Sequence, residues 1–414
     1  MKQDLQPLKG FRDFLPEQAR KRDYALNLIK QTFQNFGFEP LETPTLEYQS
    51  LLLGKYGTEA DKLVYKFEDE GKRQIGLRYD QTVPTARVIA SSLNQLGIPF
   101  KRYQIQPVWR AEKPQKGRFR EFLQCDIDTF GTTSSIADAE IITASITALK
   151  NLGLGNLKML LNSRLLLFEM IEQANITEKD ALSVIQSHDK LEKIGRDGVV
   201  KELSGKGLST TTIDLLFDLI TKAKPNVELQ QVISACLQLG LTPSELEFSP
   251  TLARGLDYYT GTIFELVSDD YPVGSLAGGG RYDNLVGRLS GTDIPAVGIA
   301  LGFDRIIEAM ETLNLFPDNL VPAKVFVTFS DSYLQEATLN LVTNLQKQNI
   351  STFLYPNPED KLTKQLKLAN KKQIPYLIIL GTQEAKLNKF TLKDMTTGVQ
   401  QLLTLNDLLT TLQK

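Results

Sequence analysis

Four arginines, Arg110, Arg118, Arg254 and Arg305, stand in segments whose other residues alternate or cluster as strands do, with Asp, Glu, Tyr or Gly close by. A guanidinium presents a planar fork of donors that matches phosphate oxygens, so arginines in this setting suit a triphosphate. Neighbouring carboxylates suit an amino group or Mg²⁺. The segments concerned are LRYDQTVPTAR, WRAEKPQKGRFREFLQCDID, RGLDYYTGTIFE, AGGGRYDNLVGRL and PAVGIALGFDRII. Buried charges of both signs are costly unless they pair with each other or with a ligand. Several such segments in one chain argue for a ligand.

The stretch from Lys101 to Gly131 reads as an antiparallel hairpin, two strands around the polar loop AEKPQKG. Counting by twos along its second strand puts Arg118, Arg120, Phe122, Gln124, Asp126 and Asp128 on one face, and Phe119, Leu123, Cys125 and Ile127 on the other. A solvent-facing strand would also be polar, but the charged segments before and after the hairpin weigh against that. In PAVGIALGFDRII, Gly298, Ala300 and Gly302 share one face of a strand that runs into a helix near Asp304. Residues that small let a flat base approach the backbone, with Arg305 leaving the helix start.

Other chemistries lack their residues. With only Cys125, Cys236 and His188, a Cys/His zinc site cannot be assembled and a disulfide framework is implausible. A Ser-His-Asp mechanism would have to use His188, which in IQSHDKLEKIG reads as a surface residue of a polar helix. No GxxxxGK[ST] occurs, and no GxGxxG follows a strand. The work must fall to carboxylates, arginines, tyrosines and backbone groups.

The elements that would position these residues come from a long chain. At 414 residues, 42% hydrophobic and 23% charged, it reads as a globular protein of two or three domains. No apolar run is long enough to span a membrane, and the start looks like neither a signal nor a transit peptide, so a cytoplasmic location is expected. Residues from Arg20 to Phe36 predict an amphipathic helix with Tyr24, Leu28 and Phe36 inward, ended by Gly37. Glu169 to Glu247 has Phe217 as its only aromatic residue and helical apolar spacing, as a helical insertion would. After the linker DNLVPAK, strand and helix patterns alternate in the rhythm of a small α/β domain. From Pro322 onward 11 Lys and no Arg face 7 acidic residues, a balance of +4 that leaves −6 for the rest of a chain whose net charge is −2. A local patch, including Lys361, Lys364, Lys367, Lys371 and Lys372 on one helix, would serve an RNA contact better than the whole surface would.

An ATP site built on an antiparallel hairpin with an arginine, beside a glycine-rich strand leading to another, resembles the class II aminoacyl-tRNA synthetases. Within that class PLKGFRDFLP, GFEPLETPTLE (motif 1), the hairpin (motif 2), RGLDYYTGTIFE with AGGGRYDNLV, and AVGIALGFDRII (motif 3) resemble the histidyl-tRNA synthetase family over the whole chain. The resemblance implies an α+β catalytic domain on an antiparallel sheet, residues 1–162 and 248–318, a helical insertion at 163–247, and a C-terminal α/β anticodon-binding domain at 322–414. It implies a homodimer that uses ATP and Mg²⁺ to activate L-histidine and load it onto tRNA(His). Arg110 and Arg305 are implied to hold ATP phosphates, with Glu112 toward the adenine, Arg118 toward the outer phosphates and Arg254 as the catalytic arginine. Asp80, Gln81, Thr82 and Gln124, with Arg110 and Arg254, are implied at the amino-acid backbone, and Asp128, Tyr258 and Tyr259 at the imidazole. Asp80 and Asp304 stand where Glu is usual in many members; both keep the charge. The alternative is a non-catalytic relative that senses histidine. A class II enzyme for another amino acid is a further rival, against which RGLDYY speaks.

Overall fold

The structure, a computed structural model, describes residues 5–53, 60–113, 119–254, 258–318 and 320–413. The chain divides into two compact units, one of residues 1–14 and 22–316, the other of 15–21 and 317–414.

The first unit is organised by eight strands: β1 (Glu39–Pro40), β2 (Phe100–Trp109), β3 (Glu121–Phe130), β4 (Leu157–Ser163), β5 (Leu246–Phe248), β6 (Thr262–Ser268), β7 (Ala277–Arg281) and β8 (Ala296–Gly302). They form one sheet in the order β1-β2-β3-β8-β7-β6-β4-β5, antiparallel except where the short β1 and β5 pair at the edges. The β2–β3 hairpin forms where the sequence predicts it. Its apolar side continues across the sheet as Tyr103, Cys125, Ile127, Val297, Ile299, Leu301 and Phe264, all in one buried core. Helix Ser135–Asn151 joins that core with buried residues on most of its circumference, as a fully enclosed helix must. The Ser134 hydroxyl caps it, accepting from the Ile136 N–H at 3.3 Å.

Two expectations shift. Helix Pro16–Asn35 starts earlier than its apolar spacing predicts, with proline first, where the lost N–H is harmless. Its buried stripe is Ala25, Ile29 and Phe33; Tyr24, Leu28 and Phe36 flank that stripe and are only partly covered. The helical segment has its own core, with Leu167, Met170, Ile185, Val199, Leu216 and Phe217 among its members. Its last helix, Val227–Gln238, instead places Leu229, Val232 and Cys236 in the core beneath the sheet.

Arg281 braces sheet to helix. Its guanidinium donates to Asp138 on the helix, to the Thr132 carbonyl at 2.9 Å and to Asp283 at 3.2 Å, and both Arg281 and Asp138 are buried. Part of the charge density in the sequence is thus self-paired. Arg78 likewise donates to the carbonyls of Thr43 and Pro107 from full burial.

The second unit is a five-stranded mixed sheet in the order Thr352–Leu354, Val325–Val327, Tyr376–Ile379, Phe390–Asp394, Gln400–Leu403, with the first three strands parallel. Its longer helices are Gln335–Lys347, Leu362–Lys371 and Leu405–Gln413. On the second helix Lys361, Lys364, Lys367 and Lys371 are exposed around buried Gln365 and Ala369, while half-buried Lys372 sits 5.0 Å from the Phe353 ring.

Removing one partner of a buried ion pair strands the other charge and costs about 3–5 kcal/mol. Arg281→Met should therefore lower the urea midpoint of the first unit clearly. An unchanged midpoint would show that Arg281 is no brace.

Candidate active site

The face of the sheet opposite the core is polar because its register lines up polar and small residues strand by strand. Arg102, Gln104 and Gln106 lie across from Asp128, Asp126 and Gln124. Those in turn face Gly298, Ala300 and Gly302, and Gly280 and Gly278 continue the first two rows. The glycines are there for clearance. A side chain on Gly278 would overlap the Arg254 guanidinium, one on Gly298 the Asp128 carboxylate, and one on Gly280 would come within 2.8 Å of the Tyr259 ring. Gly298 thus makes room for a carboxylate, whereas Ala300 and Gly302 line an open cleft.

That space is a cleft of about 430 Å³ lined by Arg110, Glu112, Phe119, Phe122, Gln124, Arg254, residues 275–278 and residues 300–305. Three of the four arginines singled out by sequence, Arg110, Arg254 and Arg305, meet here; Arg118 lies outside the described residues. The Arg110 Nε donates to the Tyr79 carbonyl at 3.3 Å with its guanidinium 4.9 Å from the Phe122 ring, and Arg305 donates to the Ser275 carbonyl. At the helix start Asp304 Oδ1 accepts from Arg12 at 3.0 Å and from Arg22 at 2.5 Å. Two cations thereby hold the carboxylate that precedes Arg305.

Arg254 has φ +47°, the left-handed region that disfavours residues with a Cβ. Its Nη1 lies 3.3 Å from Glu265 Oε2, and Tyr259 and Tyr258 are close. Burial works against its charge, but these neighbours outweigh burial and keep it cationic. The hydroxyls of Tyr258 and Tyr259 are hydrogen-bonded, the rings 4.7 Å apart.

Further along the polar face lies a cluster of buried carboxylates. Asp128 is buried, with Oδ2 2.6 Å from Arg102 Nη2 and Oδ1 accepting from the Tyr282 hydroxyl. Burial pushes its pKa up and Arg102 opposes that shift. Asp126, beside it on the same face, is pushed well above the carboxylate range, first by burial, with Asp128 and Asp80 adding to the effect. Asp80 is raised to about 6, mainly by burial, although its Oδ1 accepts from the Val83 N–H at 3.2 Å. Thr82, half-buried, begins the helix Thr82–Leu96 that follows. Gln81 is fully buried; its Nε2 donates to the Gln106 and Gln124 carbonyls at 2.8 and 3.3 Å, and its Oε1 has no hydrogen-bond partner among the described residues.

Sequence reasoning missed Arg102, Asp126, Phe122 and Tyr282 as site residues. Asp126 and Phe122 were on the face already counted as polar, and Tyr282 lay in AGGGRYDNL; only the pairing of Arg102 with Asp128 needed the register. His188 corrects a surface expectation: it is 3% exposed within the helical core. Burial lowers its pKa to about 4, and its ring hydrogen-bonds the Thr251 backbone.

A polar-faced antiparallel sheet with arginines converging on a cleft, joined to a separate α/β unit, defines the class II aminoacyl-tRNA synthetase architecture. The family profile described as Histidyl-tRNA synthetase matches residues 10–306, and that of the Anticodon binding domain matches 324–414. Histidine--tRNA ligase of Rhodopirellula baltica is 38% identical over 422 residues, 96% of this chain and 95% of that protein. The crystal structure of histidyl-tRNA synthetase from Nostoc sp. PCC 7120 matches with TM-score 0.87 at 30% identity, covering 100% of this chain and 99% of that one. An ATP phosphoribosyltransferase regulatory subunit/histidyl-tRNA synthetase from Bacillus halodurans C shares the fold, with TM-score 0.74 at 21% identity over 90% of this chain and 97% of that one. The chain belongs to the histidyl-tRNA synthetase family.

A carboxyl raised by burial is neutral below its pKa and ionised above it. Carbon-detected NMR of Asp80 in the ligand-free protein should therefore show a titration midpoint at about 6. A midpoint in the ordinary carboxylate range would contradict the burial described for this cluster.

Proposed function

We propose that the cleft and the buried carboxylate cluster share the labour of a two-step reaction. The activity is that of a histidine–tRNA ligase, with ATP and L-histidine as small substrates and tRNA(His) as acceptor. The single observation that carries the assignment of roles is the meeting of Arg110, Arg254 and Arg305 in one cleft that Gln124 also lines.

In the first step the histidine carboxylate attacks the α-phosphorus of ATP and pyrophosphate leaves; in the second the terminal ribose of tRNA takes the histidyl group. Arg110 and Arg305 hold phosphates and Glu112 serves the adenine end, while Arg118, outside the described residues, is assigned to the outer phosphates by its motif alone. Arg254 meets the α-phosphate and the attacking carboxylate. Such steps need fixed charge more than a protein nucleophile, because charge spreads over the phosphoryl oxygens in the transition state. Asp80, Thr82 and Gln124 take the α-ammonium, and the buried Oε1 of Gln81, without a partner among the described residues, is a further acceptor for it. Asp128, oriented by Arg102 and Tyr282, accepts from the imidazole N–H, while Tyr259 with Tyr258 answers the other ring nitrogen.

Among the described residues no group of three or more His, Cys, Asp or Glu could hold a metal. Mg²⁺ would come with ATP, held by phosphate oxygens and water with at most one or two protein carboxylates. The α/β unit suits the tRNA, its exposed lysines contacting phosphates. The anticodon-domain match over 324–414 also favours a working synthetase over a histidine-sensing relative. Leu46, Tyr48 and Phe67, exposed on a small sheet of strands Leu46–Tyr48, Gln74–Leu77 and Lys66–Glu68 in the first unit, suit a homodimer, which sedimentation velocity would reveal and a monomer mass would refute. No described helix is long and apolar enough to cross a membrane, and a ligase of this kind works where tRNA is, in the cytoplasm.

The pocket assignment is tested by Asp128→Ala. Exchange of pyrophosphate into ATP should show a KM for histidine raised by an order of magnitude or more, since one charge-assisted hydrogen bond is worth about 1.5–3 kcal/mol, with the KM for ATP nearly unchanged. Equal effects on both substrates would make Asp128 a purely structural carboxylate.

A further inference from the structure

Residues 250–254 lie outside any helix or strand, yet they lead directly into Arg254 and its left-handed backbone. Their carbonyl groups are answered one after another by side chains from elsewhere. Asn162 Nδ2 donates to the carbonyls of Pro250 at 3.2 Å and Leu252 at 2.8 Å. The ring of His188, on helix Glu178–His188, hydrogen-bonds Thr251. Arg164 Nη1 donates to Ala253 and to Arg254, each at 3.2 Å. The Arg164 backbone N–H also donates to the Gly261 carbonyl at 2.8 Å, so one residue ties down both ends of the stretch from Arg254 to Gly261. All three side chains are buried, at 0% for Asn162, 1% for Arg164 and 3% for His188. Asn162 lies near the end of β4 and Arg164 begins helix Arg164–Gln173, where the helical segment leaves the sheet.

We infer that Arg164 is a positioning residue for adenylate formation: with Asn162 and His188 it clamps the backbone from which Arg254 reaches the cleft. The inference rests on the reading of Arg254 as the group that meets the α-phosphate. Arg164 itself touches no substrate, and it does not line the cleft. A clamp of this kind acts on the transition state through Arg254, because a cation displaced by even an ångström no longer meets the developing charge. It also links the root of the helical segment to the chemistry, since the core of that segment includes Ala253 and Tyr259 on either side of Arg254.

The test is a double-mutant cycle of Arg164→Gln and Arg254→Ala, read by single-turnover adenylate formation and steady-state exchange. Arg164→Gln alone should lower kcat about tenfold or more, with the KM values for ATP and histidine within about twofold, the signature of a lost transition-state interaction. In the Arg254→Ala background the same change should cost less than about twofold further, because residues that act through one group are non-additive. Additive losses, or a kcat near wild type for Arg164→Gln, would overturn the clamp. If Arg164→Gln does not give a cooperative thermal transition, Asn162→Ala takes its place in the same cycle and the same two results decide. Should Arg254→Ala itself keep near-wild-type exchange, the role of Arg254 is what has failed.

Discussion

Everything in the site depends on burying negative charge on one face of a sheet. Asp126 and Asp128 leave the same side of β3, and a charge taken out of water must be answered or neutralised. Arg102, completely buried on β2, answers Asp128, and Tyr282 donates to its other oxygen. Asp126 is driven toward the neutral acid. The pairing fixes the Asp128 carboxylate to strands rather than loops, which gives it its rigidity.

Clearance is the second consequence. Three glycines, Gly278, Gly280 and Gly298, stand where Arg254, Tyr259 and Asp128 lie flat against the sheet. Gly278 and Gly280 of AGGGRYD, with Gly298 on the neighbouring strand, are therefore seats for side chains carried by other segments, and a methyl at any of the three would displace a site residue. The same logic separates the two kinds of arginine. Arg281 is spent on Asp138 as a brace, whereas Arg254 is kept cationic at the edge of open space.

Much of this was legible in sequence. Period-two counting placed Gln124, Asp126 and Asp128 on one face, and the register agrees; the arginines of three separate segments converge as their chemistry suggested. What sequence could not supply were relations across strands. The Arg102–Asp128 pair spans two strands of a hairpin whose register depends on the whole sheet. His188 looked like a surface residue because its helix is polar on average, yet its ring points into the helical core. Likewise Val227–Gln238 reads as one more insertion helix, and only packing shows that Cys236 and Val232 belong beneath the catalytic sheet.

The central claim is that this polar face selects an imidazole. A site built to hydrogen-bond a substrate group rejects analogues lacking it by about 10⁴–10⁵ without an editing step, because its buried donors and acceptors would be left unpaired. The most direct measurement is ATP–pyrophosphate exchange by the full chain with each of the twenty amino acids in turn. The account predicts exchange with histidine alone. Ready exchange with another amino acid, or none with histidine, would contradict it.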